Sequence, residues 1–249
     1  MTIKDFYAKL TELYPVSLSC EWDNDGLMCC YDSKAEVKKV LTALDCTNEV
    51  LEYAAANGFD TVITHHPMIF KGLCSITDTS LVSNKVIFCI KNRINVISLH
   101  TRLDAGKNGV NDCLAKKLGL TDIEFFGDDE SPELGRIGTA GIDFIETVKS
   151  SLGLTSVTAY ITRDIHRVAV VGGSGKDYIK AAVSAGADTF VTGECSYNYA
   201  LDAADMGLNI IEAGHYHTEF PVCAHLAELA ETIAGAKAEI YKLKYPTQL

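Results

Sequence analysis

No apolar run in this chain of 249 residues approaches the length that a membrane-spanning helix requires. The opening stretch MTIKDFYAKLTELY lacks the continuous apolar core of a signal peptide and instead spaces Ile3, Phe6, Leu10 and Leu13 at helical intervals. A cytoplasmic protein that does not enter membranes is expected. Basic clusters are missing too. With a formal net charge of −11 and no grouped lysines or arginines, bulk electrostatics oppose contact with a phosphate backbone, so direct nucleic-acid binding is not expected. A local cationic or metal site in a cleft could still recruit an anionic substrate. Nine cysteines are present, but no CxxC pair, and the neighbours Cys29 and Cys30 suit neither a disulfide framework nor a zinc knuckle. They read as mostly reduced core residues. Nucleotide fingerprints are likewise absent: RVAVVGGSGKDY resembles one, yet GGSGKD is neither GxGxxG nor GxxxxGK[ST]. It reads as a tight strand-to-helix turn whose N–H groups could hold an anion.

What is present is a hydrophobic fraction of 47%, enough for one large domain or two small ones without covalent staples. Apolar β-type runs alternate with helical patterns: KVLTALD, a helix over 49–57, DTVIT, a helix over 81–92, and NVISLH. The second half repeats the pattern with RVAVVGG, a helix after Gly175, DTFVTG, a helix after Ser196, NIIEAG, a helix after Pro221 and a closing strand AEIYKL. This is an α/β protein with a parallel or mixed sheet in each half. KVLTALDCTNEVLEYAAANGFDTVIT and RVAVVGGSGKDYIKAAVSAGADTFVT align without a gap, Val40 meeting Val168, Gly58 meeting Gly186, Asp60 meeting Asp188 and Thr61 meeting Thr189. Farther along, INVISLHTRLD pairs with LNIIEAGHYHT, with Asn95 opposite Asn209. Two similar α/β lobes from an internal duplication are expected, over 1–125 and 126–249, each with strand carboxyl ends where open sheets place binding sites.

Those ends carry the histidines. His65 and His66 follow one strand of the first lobe, His100 and Asp104 follow the next, and His215, His217 and Glu219 follow the matching strand of the second. Imidazole with carboxylate is the donor set for zinc, iron, manganese, cobalt or nickel, whereas magnesium or calcium would call for an oxygen-rich one. Adjacent residues of an extended segment face opposite ways, so His65 and His66 would serve two ions more easily than one. Five side chains, His65, His66, Asp104, His215 and Glu219, could hold two divalent ions and leave positions for a shared water or substrate. In GHYHTEFP, Pro221 favours a loop over His215 to Glu219 rather than a helix. Each residue also has a plainer role: the two histidines as a solvent-facing turn, Asp104 as a helix cap, Glu219 as charge at a helix start. Trp22, the single tryptophan, lies in the turn-forming EWDNDG and reads as a structural corner.

WDNDGL at Trp22 to Leu27, THHP at Thr64 to Pro67, HTRLD at His100 to Asp104, TGE at Thr192 to Glu194 and GHYHTE at Gly214 to Glu219 resemble, in order, the motifs of the NGG-interacting factor three-like family. These are the dinuclear metal centre hexameric proteins also called GTP cyclohydrolase I type 2 homologues. The resemblance spans nearly the whole chain, in the short form without an inserted middle domain. It implies that His65, His66, Asp104, His215 and Glu219 bind two divalent ions, with Glu219 bridging. It also implies that His100 acts beside them, supporting the ligands or transferring a proton, and that the sites face the interior of a toroidal homohexamer. Tyr197-Asn198 departs from the tyrosine-histidine pair that the family tends to place after its TGD or TGE.

The leading expectation is a metal-dependent hydrolase in which a bridging water, made acidic by two cations, attacks a nucleotide-like or phosphoester substrate while His100 moves the proton and Glu219 supports the chemistry. The purine nucleotide follows from the resemblance alone. The competing expectation is a metal-loaded regulatory or metal-handling scaffold that binds protein partners. A third is a metal-free, flavodoxin-like nucleotide binder acting through Gly172 to Gly175.

Overall fold

The computed structural model describes residues 1–244. Its elements run α1 (Ile3–Leu13), β1 (Gly26–Cys29), β2 (Lys39–Ala43), α2 (Asn48–Ala56), β3 (Thr61–Thr64), α3 (Leu81–Asn92), β4 (Asn95–Ser98), α4 (Thr101–Ala105) and α5 (Val110–Lys117). There follow β5 (Thr121–Phe126), β6 (Gly135–Thr139), α6 (Phe144–Leu152), β7 (Thr158–Tyr160), β8 (Arg167–Val171), α7 (Ile179–Ser184), β9 (Thr189–Thr192) and α8 (Tyr197–Asp205). The last are β10 (Asn209–Glu212), α9 (His215–Glu219), α10 (Val222–Ala234) and β11 (Lys237–Ile240). No helix among the described residues is long and apolar enough to cross a membrane.

The chain divides into two units, one of Met1–Leu103 with Cys223–Leu243 and one containing Asp104–Val222. The division therefore falls at Leu103, not near residue 125, and the closing helix and strand belong to the first unit. β11 pairs in parallel with β2, from Lys237 opposite Lys39 to Ile240 opposite Thr42, so the strand expected to end the second lobe completes the first sheet. Asp104, expected in the first lobe, falls in the second. Residues 245–249 of the expected second lobe lie outside the described residues.

The first sheet has the order β1-β4-β3-β2-β11, with β1 antiparallel to β4 and the others parallel. Every residue of β3 and β4 is buried, as strands covered on both faces require. α1 opens on Thr2, whose hydroxyl accepts the Asp5 N–H at 3.2 Å, and it buries Ile3, Phe6 and Leu10. Leu13, expected in the same stripe, is exposed; Tyr14 is buried in its place, its hydroxyl 2.7 Å from His225 Nε2.

The second sheet has the order β5-β6-β8-β9-β10-β7, with β8, β9 and β10 parallel and the outer pairings antiparallel. Successive residues of its central strands point to opposite faces. Ala169, Phe190 and Ile210 enter one core with Ile179, Ala200 and Ala203, while Val168, Val191 and Ile211 enter another with Leu114 and Val148.

The aligned residues of the two halves occupy corresponding rungs. Val40 pairs with Thr61 and Thr61 with Asn95 in the first sheet; Val168 pairs with Thr189 and Thr189 with Asn209 in the second. The shared Gly-x-Asp-Thr turn has one physical cause in both. The Asp60 carboxylate accepts the Lys38 and Lys39 N–H groups at 3.0 and 2.9 Å, and Asp188 accepts those of His166 and Arg167 at 3.0 and 2.6 Å. Each aspartate ties the start of one strand to the next.

The cysteines are all free thiols, five of them buried. Burial pushes the Cys46 thiol up to about 12, which keeps it protonated and inert.

Candidate metal centre

Regular pairing of β3 ends with Thr64 opposite Ser98. The Thr64 hydroxyl then donates to the His66 carbonyl at 2.8 Å, and the His66 N–H donates to the Leu44 carbonyl at 2.9 Å. The chain bends, and the rings of His65 and His66 come within 4.9 Å, centroid to centroid. Neighbours diverge only while a strand continues; here it stops, so the two imidazoles meet. His100, beyond the end of β4, joins them: nitrogens of His65, His66 and His100 lie within 4.8 Å of one another.

Each of these rings is held through Nδ1 by an oxygen. His65 Nδ1 is 2.9 Å from the Leu99 carbonyl, His66 Nδ1 is 2.7 Å from Asp45 Oδ1, and His100 Nδ1 is 2.8 Å from Asp23 Oδ1. A carbonyl cannot donate and an ionised carboxylate only accepts, so Nδ1 carries the proton and Nε2 is the basic nitrogen in all three. Metal-ligating histidines are oriented in this way.

EWDNDG is therefore more than a corner. Asp23 accepts from His100, from the Thr101 hydroxyl at 2.6 Å and from the Thr101 N–H at 3.0 Å. Burial pushes the Asp23 carboxyl up, but the hydrogen bonds from His100 and Thr101 outweigh it and hold the group at about 2. Asn24 donates its amide to the Ile69 carbonyl. Asp25 accepts the His100 N–H at 3.1 Å and grips the buried Arg102 guanidinium, whose Nε lies 2.8 Å from Oδ2. One short loop thus pins the histidine segment at Ile69 and the start of α4.

In the second unit, α9 corrects the expectation for GHYHTE. His215–Glu219 is a helical turn, and Phe220, although it precedes Pro221, has φ −52 and ψ −32. Phe220 thus takes helical angles despite the bias against them before a proline, while Pro221 itself lies between α9 and α10 and removes no hydrogen bond from inside either. His215 and Glu219 consequently share a face, with Nε2 and Oε2 3.1 Å apart, and Glu194 Oε1 lies 3.4 Å from His215 Nδ1. An Asp104 carboxylate oxygen lies within 4.8 Å of one on Glu219.

The glycine run is committed to this wall. The Gly172, Gly173 and Gly175 N–H groups donate to Asn111 Oδ1, Thr218 Oγ1 and Thr192 Oγ1 at 2.8, 3.1 and 2.9 Å. These three are occupied by the protein's own side chains and are not free to hold an anion. A Cβ on Gly173 would stand 2.1 Å from Glu219 Oε1, so glycine allows the carboxylate to lie against the backbone.

Family comparison agrees with these motifs. The family model described as Duf34/NIF3 (NGG1p interacting factor 3) matches residues 1–247. The chain belongs to the Duf34/NIF3 family. Among Duf34/NIF3 relatives, the GTP cyclohydrolase 1 type 2 homolog of Clostridium perfringens is 35% identical over 238 residues, 92% of this chain and 90% of that one. The crystal structure of Staphylococcus aureus hypothetical protein SA1388 superposes with a TM-score of 0.90 at 32% identity, covering 100% of this chain and 99% of that one. Reduced HcgD from Methanocaldococcus jannaschii gives a TM-score of 0.83 at 27% identity, over 96% and 97% of the two chains.

The donor set fits a divalent ion. Three imidazoles with fixed tautomers in one unit, and a carboxylate pair with a histidine in the other, are nitrogen and oxygen ligands of intermediate hardness. Two carboxylates as close as Asp104 and Glu219 repel unless a cation or proton lies with them. Asp23, Asp45 and Glu194 are not among the site residues that the sequence points to. Asp45 had a signal, since KVLTALD is a further strand ending in an acid; Glu194 had its TGE motif; Asp23 was hidden by turn chemistry that explains such a run equally well.

Proposed function

We propose that this chain is a dinuclear divalent-metal protein and a metal-dependent hydrolase acting on a nucleotide-like or phosphoester substrate. His65, His66, Asp104, His215 and Glu219 are the proposed ligands. The observation that carries this reading is the set of three imidazoles, each held through Nδ1 by Leu99, Asp45 or Asp23. The relatives' name, GTP cyclohydrolase 1 type 2 homolog, points to the same class of chemistry.

When bound, two cations would supply Lewis-acid polarisation and a water acidic enough to be deprotonated near neutral pH. The chain's own residues do the rest. His100 takes the proton on Nε2, because Asp23 holds its Nδ1–H and stabilises the imidazolium that forms. Asp25 fixes the His100 backbone through its N–H. Glu194 places its carboxylate 3.4 Å from His215 Nδ1, and Gly173 lets the Glu219 carboxylate approach without obstruction.

The test is elemental analysis of protein purified without an affinity tag, followed by turnover on a nucleotide and phosphoester panel. About two ions per chain are expected, with turnover abolished in Glu219→Ala. Bound metal with no turnover on the panel, or turnover that survives that substitution, would replace the hydrolase with a metal-loaded scaffold.

A further inference from the structure

Trp22 is 63% exposed and Phe70 46% exposed, although both are large aromatics on a chain with core enough to take them. They are not loose. Their rings stand 6.0 Å apart at 59°, and Asn24, two residues after Trp22, donates its side-chain amide to the carbonyl of Ile69, the residue before Phe70. One hydrogen bond therefore ties together the two segments that carry the rings. Both also touch His100, at 6.1 Å and 75° for Trp22 and at 6.3 Å and 83° for Phe70. The residue after Trp22 is Asp23, which fixes the His100 ring, so a single loop sets both the aromatic pair and the imidazole.

We propose that Trp22 and Phe70 form a stacking platform for the planar heteroaromatic base of a nucleotide-like substrate, holding it beside His100. This deepens the hydrolase reading and rests on it for the role of His100. Trp22 and Phe70 already contact each other, so the incoming ring does not slide between them; it lies on the open face of the pair. An indole and a phenyl side by side offer an area suited to a flat base. Their π-faces select flatness rather than one hydrogen-bond pattern, so the platform tolerates purines and pyrimidines while rejecting a sugar phosphate that has no aromatic ring to stack. Two tethered aromatic rings at the edge of an imidazole cluster offer their π-faces to a planar partner.

Because Trp22 is the only tryptophan in the chain, its fluorescence reports on this platform alone. Metal-loaded and metal-free protein, at full length and in its native assembly, is titrated with guanosine, adenosine and cytidine 5′-monophosphates and with ribose 5-phosphate. Acrylamide accessibility of Trp22 is measured first, and calorimetry follows binding to Trp22→Leu and Phe70→Leu. Expected are an acrylamide-accessible Trp22, saturable quenching by at least one nucleotide but not by ribose 5-phosphate, and nucleotide binding weaker by roughly five- to 150-fold in each variant. A Trp22 shielded from acrylamide before any ligand is added would show the platform covered by another copy of the chain and overturn the proposal. So would equal affinity for ribose 5-phosphate and the nucleotides, or nucleotide affinity unchanged in both variants. Metal content of the same samples separates the two readings. Two ions without base preference removes the platform and leaves the metal centre; base preference without metal does the reverse.

Discussion

Substituting Gly173 by alanine tests whether the glycine run exists to seat Glu219. Gly173 has φ +63, and its added Cβ would lie 2.1 Å from Glu219 Oε1 and 3.0 Å from His215 Nε2. Carbon and oxygen approach no closer than about 3.3 Å without strain, so Oε1 must retreat by roughly 1 Å, beyond the ~0.5 Å tolerance of a preorganised site. Gly186 supplies the control. It has φ +82, and a Cβ there meets nothing within 4 Å. Both alanine variants incur the left-handed backbone cost of about 1–2 kcal/mol, and urea unfolding should show similar losses. Only Gly173→Ala should weaken cation binding, by the ~10- to 100-fold typical of a disturbed ligand support. Calorimetric titration with zinc or cobalt measures it. Wild-type affinity in Gly173→Ala, or the same loss in Gly186→Ala, would refute the assignment of Gly173 to the Glu219 wall.

Three further outcomes are expected. Asp45→Ala removes the acceptor 2.7 Å from His66 Nδ1 and should lower cation affinity by ~10- to 100-fold, with Asp45→Asn recovering part of it, as read by competition with a chromogenic chelator. Asp112→Asn strips the buried Arg136 of its charge partner, at 2.8 and 2.9 Å, and should cost about 3–5 kcal/mol at pH 7 by urea unfolding. Burial raises the Asp112 carboxyl, but the Arg136 guanidinium outweighs it and holds the group below its ordinary value of 3.8. The pair's contribution is therefore complete above that pH and fades below it, so wild type and variant should converge in acid. Finally, an aromatic disulfide reagent should find Cys74, the exposed thiol, fast in the native state and the five buried thiols only after unfolding.

The alternation of apolar runs and helical patterns by itself determined the α/β class and most strand positions, because a buried parallel strand needs a short apolar β-branched run whatever surrounds it. The aligned Gly-x-Asp-Thr turns likewise marked matching rungs, since each aspartate bonds to the backbone at the start of the preceding strand, at the same spacing in both halves. The identities of the clustered histidines were legible for the same reason: strand ends are local. The boundary of the units was not, because β11 joins β2 across most of the chain and no local pattern records which sheet a terminal strand will complete. Nor was the helical turn at His215–Glu219, where Phe220 takes helical angles against the local bias that a following proline imposes. The tertiary structure alone decided that Asp23 and Asp45 orient imidazoles far along the chain and that Gly173 lies against Glu219. Hydrogen-bond direction and close approach are properties of atoms brought together by folding, not of residues adjacent in sequence.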